Sequence, residues 1–318
     1  MFFLSNKSLE NLWKRLVQNT GQTAIASLLI IGQIPVFPPK EYTGFADFCS
    51  NYSKLEPSTK NTVKALVIKS LEGKKAISWQ EIVDTDECAM AEEVLSQKEF
   101  LSFEKYSSIA DLTPIATLKN LKQLELDRQS IRDLTPLTAL TKLERLNLSR
   151  NLISDTTSLA SLKELKQLDL SYNLVYFLEP LSSLAKLEEL NIESASVSNV
   201  EALNPLINLK KLELGSNRIN NVEALSSLYN LEMLDLSGNV IRDISPLSSL
   251  DSIVELKTEK NYIPPEAQIC PVEQLIACND IYNQRIANYS IEEIDIFQRQ
   301  EQVLKRNTEI LRKNRNQD

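Results

Sequence analysis

Histidine is absent from all 318 residues. Its absence removes the commonest general base and the commonest metal ligand together. Glycine is scarce at six residues, and none falls in a GxGxxG or GxxxxGK[ST] arrangement, so no nucleotide cradle is signalled. Positive charge is in deficit, with 35 Lys and Arg against 43 Asp and Glu and a formal net charge of −8. That balance argues against a nucleic-acid partner, whose phosphates demand clustered Lys and Arg. No apolar run reaches the ~20 residues of a full membrane span. What is present is apolar enough to fold: 42% hydrophobic and 25% charged residues can build a sizeable core. The length suits two ordinary domains or one extended repeat array.

The choice between these is made by self-similarity. Six units of 22 residues begin at Leu121, Leu143, Leu165, Leu187, Leu209 and Leu231, and a truncated one begins at Ile253. A half unit, 109–120, precedes them. Leu143, Leu146, Leu148, Asn151 and Ile153 show the first half of the pattern, and Leu134, Leu137 and Leu140 show the second. The leucines at the fourth and sixth places alternate with polar residues, which is the period of a strand. Leu124 and Leu126 should therefore point inward, and Gln123, Glu125 and Asp127 outward. One unit cannot bury its own leucines, whereas stacking buries them in a continuous core. The turn asparagines Asn151, Asn173, Asn217, Asn239 and Asn261 should pair backbone groups of the adjacent coil, with Gln129 and Ala195 as departures. Pro114, Pro136, Pro180, Pro205 and Pro246 should open the return segment, because a fixed φ suits the first turn of a short helix or 3₁₀ turn. The expected fold is an α/β repeat solenoid, a leucine-rich-repeat arc with parallel strands on its concave face, a helical N-terminal cap and a C-terminal helix.

The segments Asp133-Leu-Thr-Pro-Leu137 and Asp243-Ile-Ser-Pro-Leu247 within the 22-residue unit resemble the internalin-like class of bacterial leucine-rich-repeat proteins. The resemblance is strong from residue 109 to 263. It extends to the flanks, where Phe45 to Cys49, Thr59 to Val63 and Asp86 to Cys88 are similar to the amino-terminal cap of exported members, and Cys270 to Cys278 to their carboxy-terminal cap. It implies disulfides Cys49–Cys88 and Cys270–Cys278, export, and a role in protein recognition. Four buried reduced thiols in a cytoplasmic protein are the alternative. Residues 71–85 look like an insertion relative to that cap, and the tail after Asp280 has no counterpart in it.

Five segments follow. Residues 40–108 form a cap with helical patterning at Thr62, Val63, Ala65, Leu66, Ile68 and Leu71, residues 109–263 the array, and residues 264–289 a second cap. In residues 1–39, Lys14 and Arg15 precede an apolar run in the layout of a secretory signal, without a small-x-small cleavage site. Leu9, Leu12, Trp13, Leu16 and Val17 offer a membrane-surface stripe instead, and ordinary cap helices are the third reading. Export or membrane attachment agrees with the cysteine pairs. In residues 290–318, Ser290 and Glu293 make a capping box, and Phe297, Leu304 and Leu311 fall at heptad spacing, as for a self-associating helix or a solvated tail.

Candidate binding residues lie on the outward strand positions. One column runs Glu125, Asn147, Asp169, Asn191, Glu213, Asp235 and Lys257, with Arg145 and Lys211 as further basic members of the wall. Beside it run Asp127, Ser149, Ser171, Glu193, Gly215, Ser237 and Glu259. The acidic bias would steer a protein partner with a basic surface. Tyr172, Tyr176 and Phe177 cluster in one turn, and Phe177 stands where other units place Asp133, Asp155, Asn199, Asn221 or Asp243. Either they anchor a partner or Phe177 packs on Leu174. No cofactor or metal is expected. An enzyme would need Asp169 and Glu213, ~10 Å apart by strand spacing, on a wall without a pocket. Protein binding is the expected function, and a scaffold assembled through residues 290–318 is the alternative.

Overall fold

The computed structural model describes residues 42–71, 87–103 and 107–263. All of the helices and strands among them belong to the compact unit that begins at Gly44. Three helices come first: α1 (Phe45–Ser50), α2 (Pro57–Ser70) and α3 (Glu87–Ser96). Eight three-residue strands follow, β1 (Phe100–Ser102), β2 (Gln123–Glu125), β3 (Arg145–Asn147), β4 (Gln167–Asp169), β5 (Glu189–Asn191), β6 (Lys211–Glu213), β7 (Met233–Asp235) and β8 (Glu255–Lys257). They form one parallel sheet in sequence order, with Leu124, Leu146, Leu168, Leu190, Leu212, Leu234 and Leu256 in register. All seven are buried, as are the partners two places on, such as Leu126, Leu148 and Leu170. The alternation read from the leucine spacing is therefore the register of the sheet.

The sheet begins ahead of the repeat pattern. β1 pairs with β2 through Leu101 opposite Leu124, although the repeat itself only starts at residue 109. Helix α2 holds to the coil behind it through Thr59, whose hydroxyl donates to Asp111 Oδ2 at 2.5 Å, and Thr62, whose hydroxyl donates to the Asp111 carbonyl at 2.8 Å. Its buried face is Thr62, Val63, Leu66 and Val67. Ile68, expected on that face, is 56% exposed, because the helix turns it away from α1 and α3. The Cys49–Cys88 disulfide joins α1 to α3 across a Cα–Cα distance of 5.6 Å. Cys270 and Cys278, the 71–85 insertion after its first residue, the 1–39 segment and the 264–289 and 290–318 segments lie outside the described residues. Among the described residues no helix is long and apolar enough to cross a membrane.

The return segments are 3₁₀ turns, at Thr135–Ala139, Thr157–Ser161, Glu179–Ser183, Glu223–Ser227 and Ser245–Ser249 among others. Pro136, Pro180 and Pro246 sit in their first turn, and Pro114 directly precedes its own. Pro205 does not. It follows the shortened turn Glu201–Leu203 and is three residues out of phase with the others. A proline has no N–H to donate, so the turn cannot extend through it.

The asparagine ladder joins the coils where strand turns into return segment. Asn151 Oδ1 accepts from the N–H groups of Gln129 and Ile131, both at 3.0 Å, and its Nδ2 donates to the carbonyls of Leu126 and Leu148, both at 2.8 Å. Asn173, Asn217, Asn239 and Asn261 repeat this with Ile153, Val197, Ile219 and Ile241. Gln129 preserves part of it, accepting from Ile109 N–H and donating to the Asp127 carbonyl. Ala195 preserves none. Val175 N–H, the group an oxygen at position 195 would receive, has no hydrogen-bond partner among the described residues. The backbone answers in the same two coils: Ser130 and Ser196 take φ of 67° and 71°, while Leu152, Leu174, Arg218 and Val240 stay out of the left-handed region. The left-handed turn accompanies the loss of the rung asparagine, with or without a substitute oxygen. Ala195→Asn should therefore raise the free energy of unfolding by about 1–3 kcal/mol by pairing buried main-chain groups. Paired denaturant melts would check this, and an unchanged midpoint would show that the altered turn already satisfies them.

Candidate protein-binding surface

The third residue of each strand from β2 onward faces out of the sheet. Parallel register sets Glu125, Asn147, Asp169, Asn191, Glu213, Asp235 and Lys257 in one row. Arg145 belongs to a second row that also holds Gln123, Gln167, Glu189 and Lys211. Between β2 and β6 the two rows line an open depression of about 230 Å³. The glutamines and Glu189, which sequence reasoning passed over, belong to it: Gln167 Nε2 donates to Glu189 Oε1 at 2.6 Å and Gln123 Nε2 to Glu125 Oε1 at 2.9 Å.

The row beside them is only partly a surface. Asp127 and Glu193 are half-buried, but Ser149, Ser171 and Gly215, expected to be presented with them, are buried. Their main chains carry the continuation of the ladder, with the Ser149 carbonyl accepting from Arg128 N–H and the Ser171 carbonyl from Arg150 N–H. Ser237, in the same row, is half-buried like Asp127 and Glu193.

Charge on the wall is unequal. Across the three rows nine acidic side chains face three basic ones. Two of the basic ones answer acids nearby: Lys211 lies 2.6 Å from Glu213, and Lys257 3.0 Å from Glu255 and 3.9 Å from Asp235. The Glu213 contact raises the Lys211 pKa and the Glu255 contact that of Lys257. Asp169 is the odd member. Burial at the centre of the sheet pushes its carboxyl upward, and Glu213 and Glu125 push the same way, against the hydrogen bonds from Ser171. Asp169 Oδ1 accepts from Ser171 N–H at 2.9 Å. Asn147 and Asn191 make the same bond to Ser149 and Glu193 without a charge.

Tyr172, Tyr176 and Phe177 lie off the sheet, in the turn that leaves β4. Phe177 does not pack on Leu174; it is 71% exposed, and Tyr176 is 49% exposed. Leu174 and, one coil earlier, Leu152 are also exposed, at 45% and 38%. Neither leucine stood out in a leucine-rich sequence. The signal was their phase, since both fall directly after the ladder asparagine, where another coil carries Arg218. The Arg150 guanidinium lies 3.9 Å from the centre of the Tyr172 ring, and the Tyr172 hydroxyl donates to Glu193 Oε1 at 3.0 Å. No cluster of metal-ligating side chains occurs among the described residues.

Known proteins place this architecture. A family model for leucine-rich repeats, spanning two copies, matches residues 207–249. Internalin C2 of Listeria monocytogenes is 30% identical over 65% of this chain and 90% of its own, with a TM-score of 0.56. An internalin, InlF, of the same organism is 29% identical over 55% of this chain, with a TM-score of 0.53, and the chain spans about half (52%) of InlF's length. No curated protein matches the sequence. With internalin C2 30% identical over 90% of its own length and the leucine-rich-repeat model matching within the array, the chain belongs to the internalin-like leucine-rich-repeat family.

Proposed function

We propose that the chain binds a protein partner on the outward strand face, and that the partner presents a basic surface to it. The observation that carries this is Asp169. Asn147 and Asn191 satisfy the following N–H from equivalent places without charge, so the fold does not need a carboxylate there. The chain nevertheless keeps one where burial, Glu125 and Glu213 all oppose its ionisation. A cation from outside would offset the repulsion from Glu125 and Glu213 and favour the ionised carboxylate despite its burial. Binding rather than catalysis fits the site, because the depression is open and its lining holds no histidine. We place the partner-binding array at residues 109–263, between caps at 40–108 and 264–289, in an exported protein. The cap disulfide supports export, since such bonds persist in oxidising compartments.

Association kinetics on the full chain test the reading. Glu125→Lys combined with Glu213→Lys should slow capture of the partner by about tenfold at low salt, and by less at physiological ionic strength, where the Debye length is ~8 Å. Dissociation should change little. Equal association rates for wild type and variant would remove the strand face from the binding surface.

A further inference from the structure

The residue that opens each return segment has a structural duty in this protein. Asp111, Asp133, Asp155, Asn199, Asn221 and Asp243 each use Oδ1 to accept the backbone N–H two residues on, at 2.8–2.9 Å. The seventh such place is Phe177, which can accept nothing and leaves the Glu179 N–H without that bond. A phenylalanine could be justified there by burial. It is the most exposed large apolar residue among those described, so burial is not the reason. The coil gives up a cap and gains no core.

What Phe177 joins is a ridge. Leu174 N–H donates to the Ile153 carbonyl at 2.8 Å, which lays the 172–177 turn along the 150–155 turn and sets Leu174 beside Leu152. On the other side the next coil offers Ser194, Ser196 and Ser198, too short to cover the aromatics, and Asn199, whose side chain is held to the Glu201 N–H. The ridge meets the acidic face at Tyr172, through its bond to Glu193. Four partly exposed side chains are far short of the ~800 Å² per partner that a stable interface buries, so the ridge cannot hold a second copy by itself. It can anchor something that also covers the strand face.

We infer that Leu152, Leu174, Tyr176 and Phe177 form the apolar anchor of the binding surface, and that they take an apolar side chain from a protein segment whose neighbouring Lys or Arg reaches the acidic strands. This rests on the strand-face reading above, and the two can fail separately.

The test is selection of a random peptide library displayed on phage against the full chain, followed by titration of the selected synthetic peptides. Peptides combining Leu, Ile or Phe with Lys or Arg should be enriched. Phe177→Asp should weaken them by about tenfold or more, as hot-spot aromatics do. The same variant restores the cap, so its melting temperature should rise by about 2–4 °C. Tyr176→Ala should weaken binding without that rise. Peptides lost on Glu125→Lys with Glu213→Lys but kept on Phe177→Asp overturn the anchor and leave the strand face standing. Peptides lost on Phe177→Asp alone keep the anchor and overturn the strand face. Failure to select any binder, or binding indifferent to both variants, overturns both. A lower melting temperature for Phe177→Asp would make Phe177 a packing residue, and a wild-type dimer dissolved by it would give the ridge to a second copy; either result overturns the anchor.

Discussion

Leu168→Asp is expected to abolish cooperative unfolding of the array rather than shift its midpoint. Leu168 is buried in β4 between Leu146 and Leu190, and Leu212 is fully buried two strands on. Removing the leucine forfeits about 1.5–3 kcal/mol of burial. Placing an unpaired carboxylate in that core adds several kcal/mol more, whether it stays ionised or takes up a proton. Domains of this kind are held by about 5–15 kcal/mol in all. A solenoid propagates the loss, because each coil is held only by its two neighbours, and β3 and β5 would both lose a face. Leu212→Asp should behave alike. Glu125→Lys, a change of charge on the outward row, should stay within about 0.5 kcal/mol of wild type. Far-UV circular dichroism melts of the three variants separate these outcomes. A sharp transition for Leu168→Asp at the wild-type temperature would mean that the alternation of inward and outward residues is misassigned.

That alternation was legible because a strict period of 22 leaves no freedom in register. Every leucine read as inward on the strands is buried, and every ladder asparagine bonds the coil before it. Features that escape the period were harder to see. β1 has Leu101, followed two places on by buried Phe103, but no 22-residue repeat around it, so pairing with β2 identifies it. Pro205 looked like its fellows by type and differs by phase. Ser149, Ser171 and Gly215 are buried while Asp127, Glu193 and Ser237 of the same column are half-buried, a difference that no pattern of polarity encodes. On the candidate surface, acid and aromatic residues could be picked out by type. Leu152 and Leu174 could not, since in this composition an exposed leucine is indistinguishable from a core one until its phase is read against the ladder.

Loss of the Cys49–Cys88 bond should loosen the front of the array far more than its middle. The bond joins α1 to α3 over a sequence separation of 39, and both cysteines are buried. On the chain-entropy account, closing a loop of that length contributes about 4 kcal/mol, most of what a small cap could have in reserve. The cap holds β1 and the first coil through few polar links: Thr59 and Thr62 on Asp111, the Ser96 carbonyl accepting from Asn120, the Glu99 carbonyl accepting from Lys122 and Gln123, and the Lys122–Glu99 ion pair. Once α1 and α3 separate, the edge of β1 is left open to another strand, which invites aggregation. Stability in stacked coils is local, so the middle of the sheet keeps its neighbours. Cys49→Ala with Cys88→Ala should therefore unfold in two steps, the first near the cap. Hydrogen exchange should accelerate strongly in α1 to β1 and little in β5 to β7. Treating the wild-type chain with a reductant should reproduce the pattern, with thiol release counted by mass spectrometry. Uniform acceleration across all eight strands would show that the cap and array unfold as one cooperative body. Unchanged exchange with the thiols demonstrably free would show that packing of Phe45, Phe48 and Leu66 holds the cap without the bond.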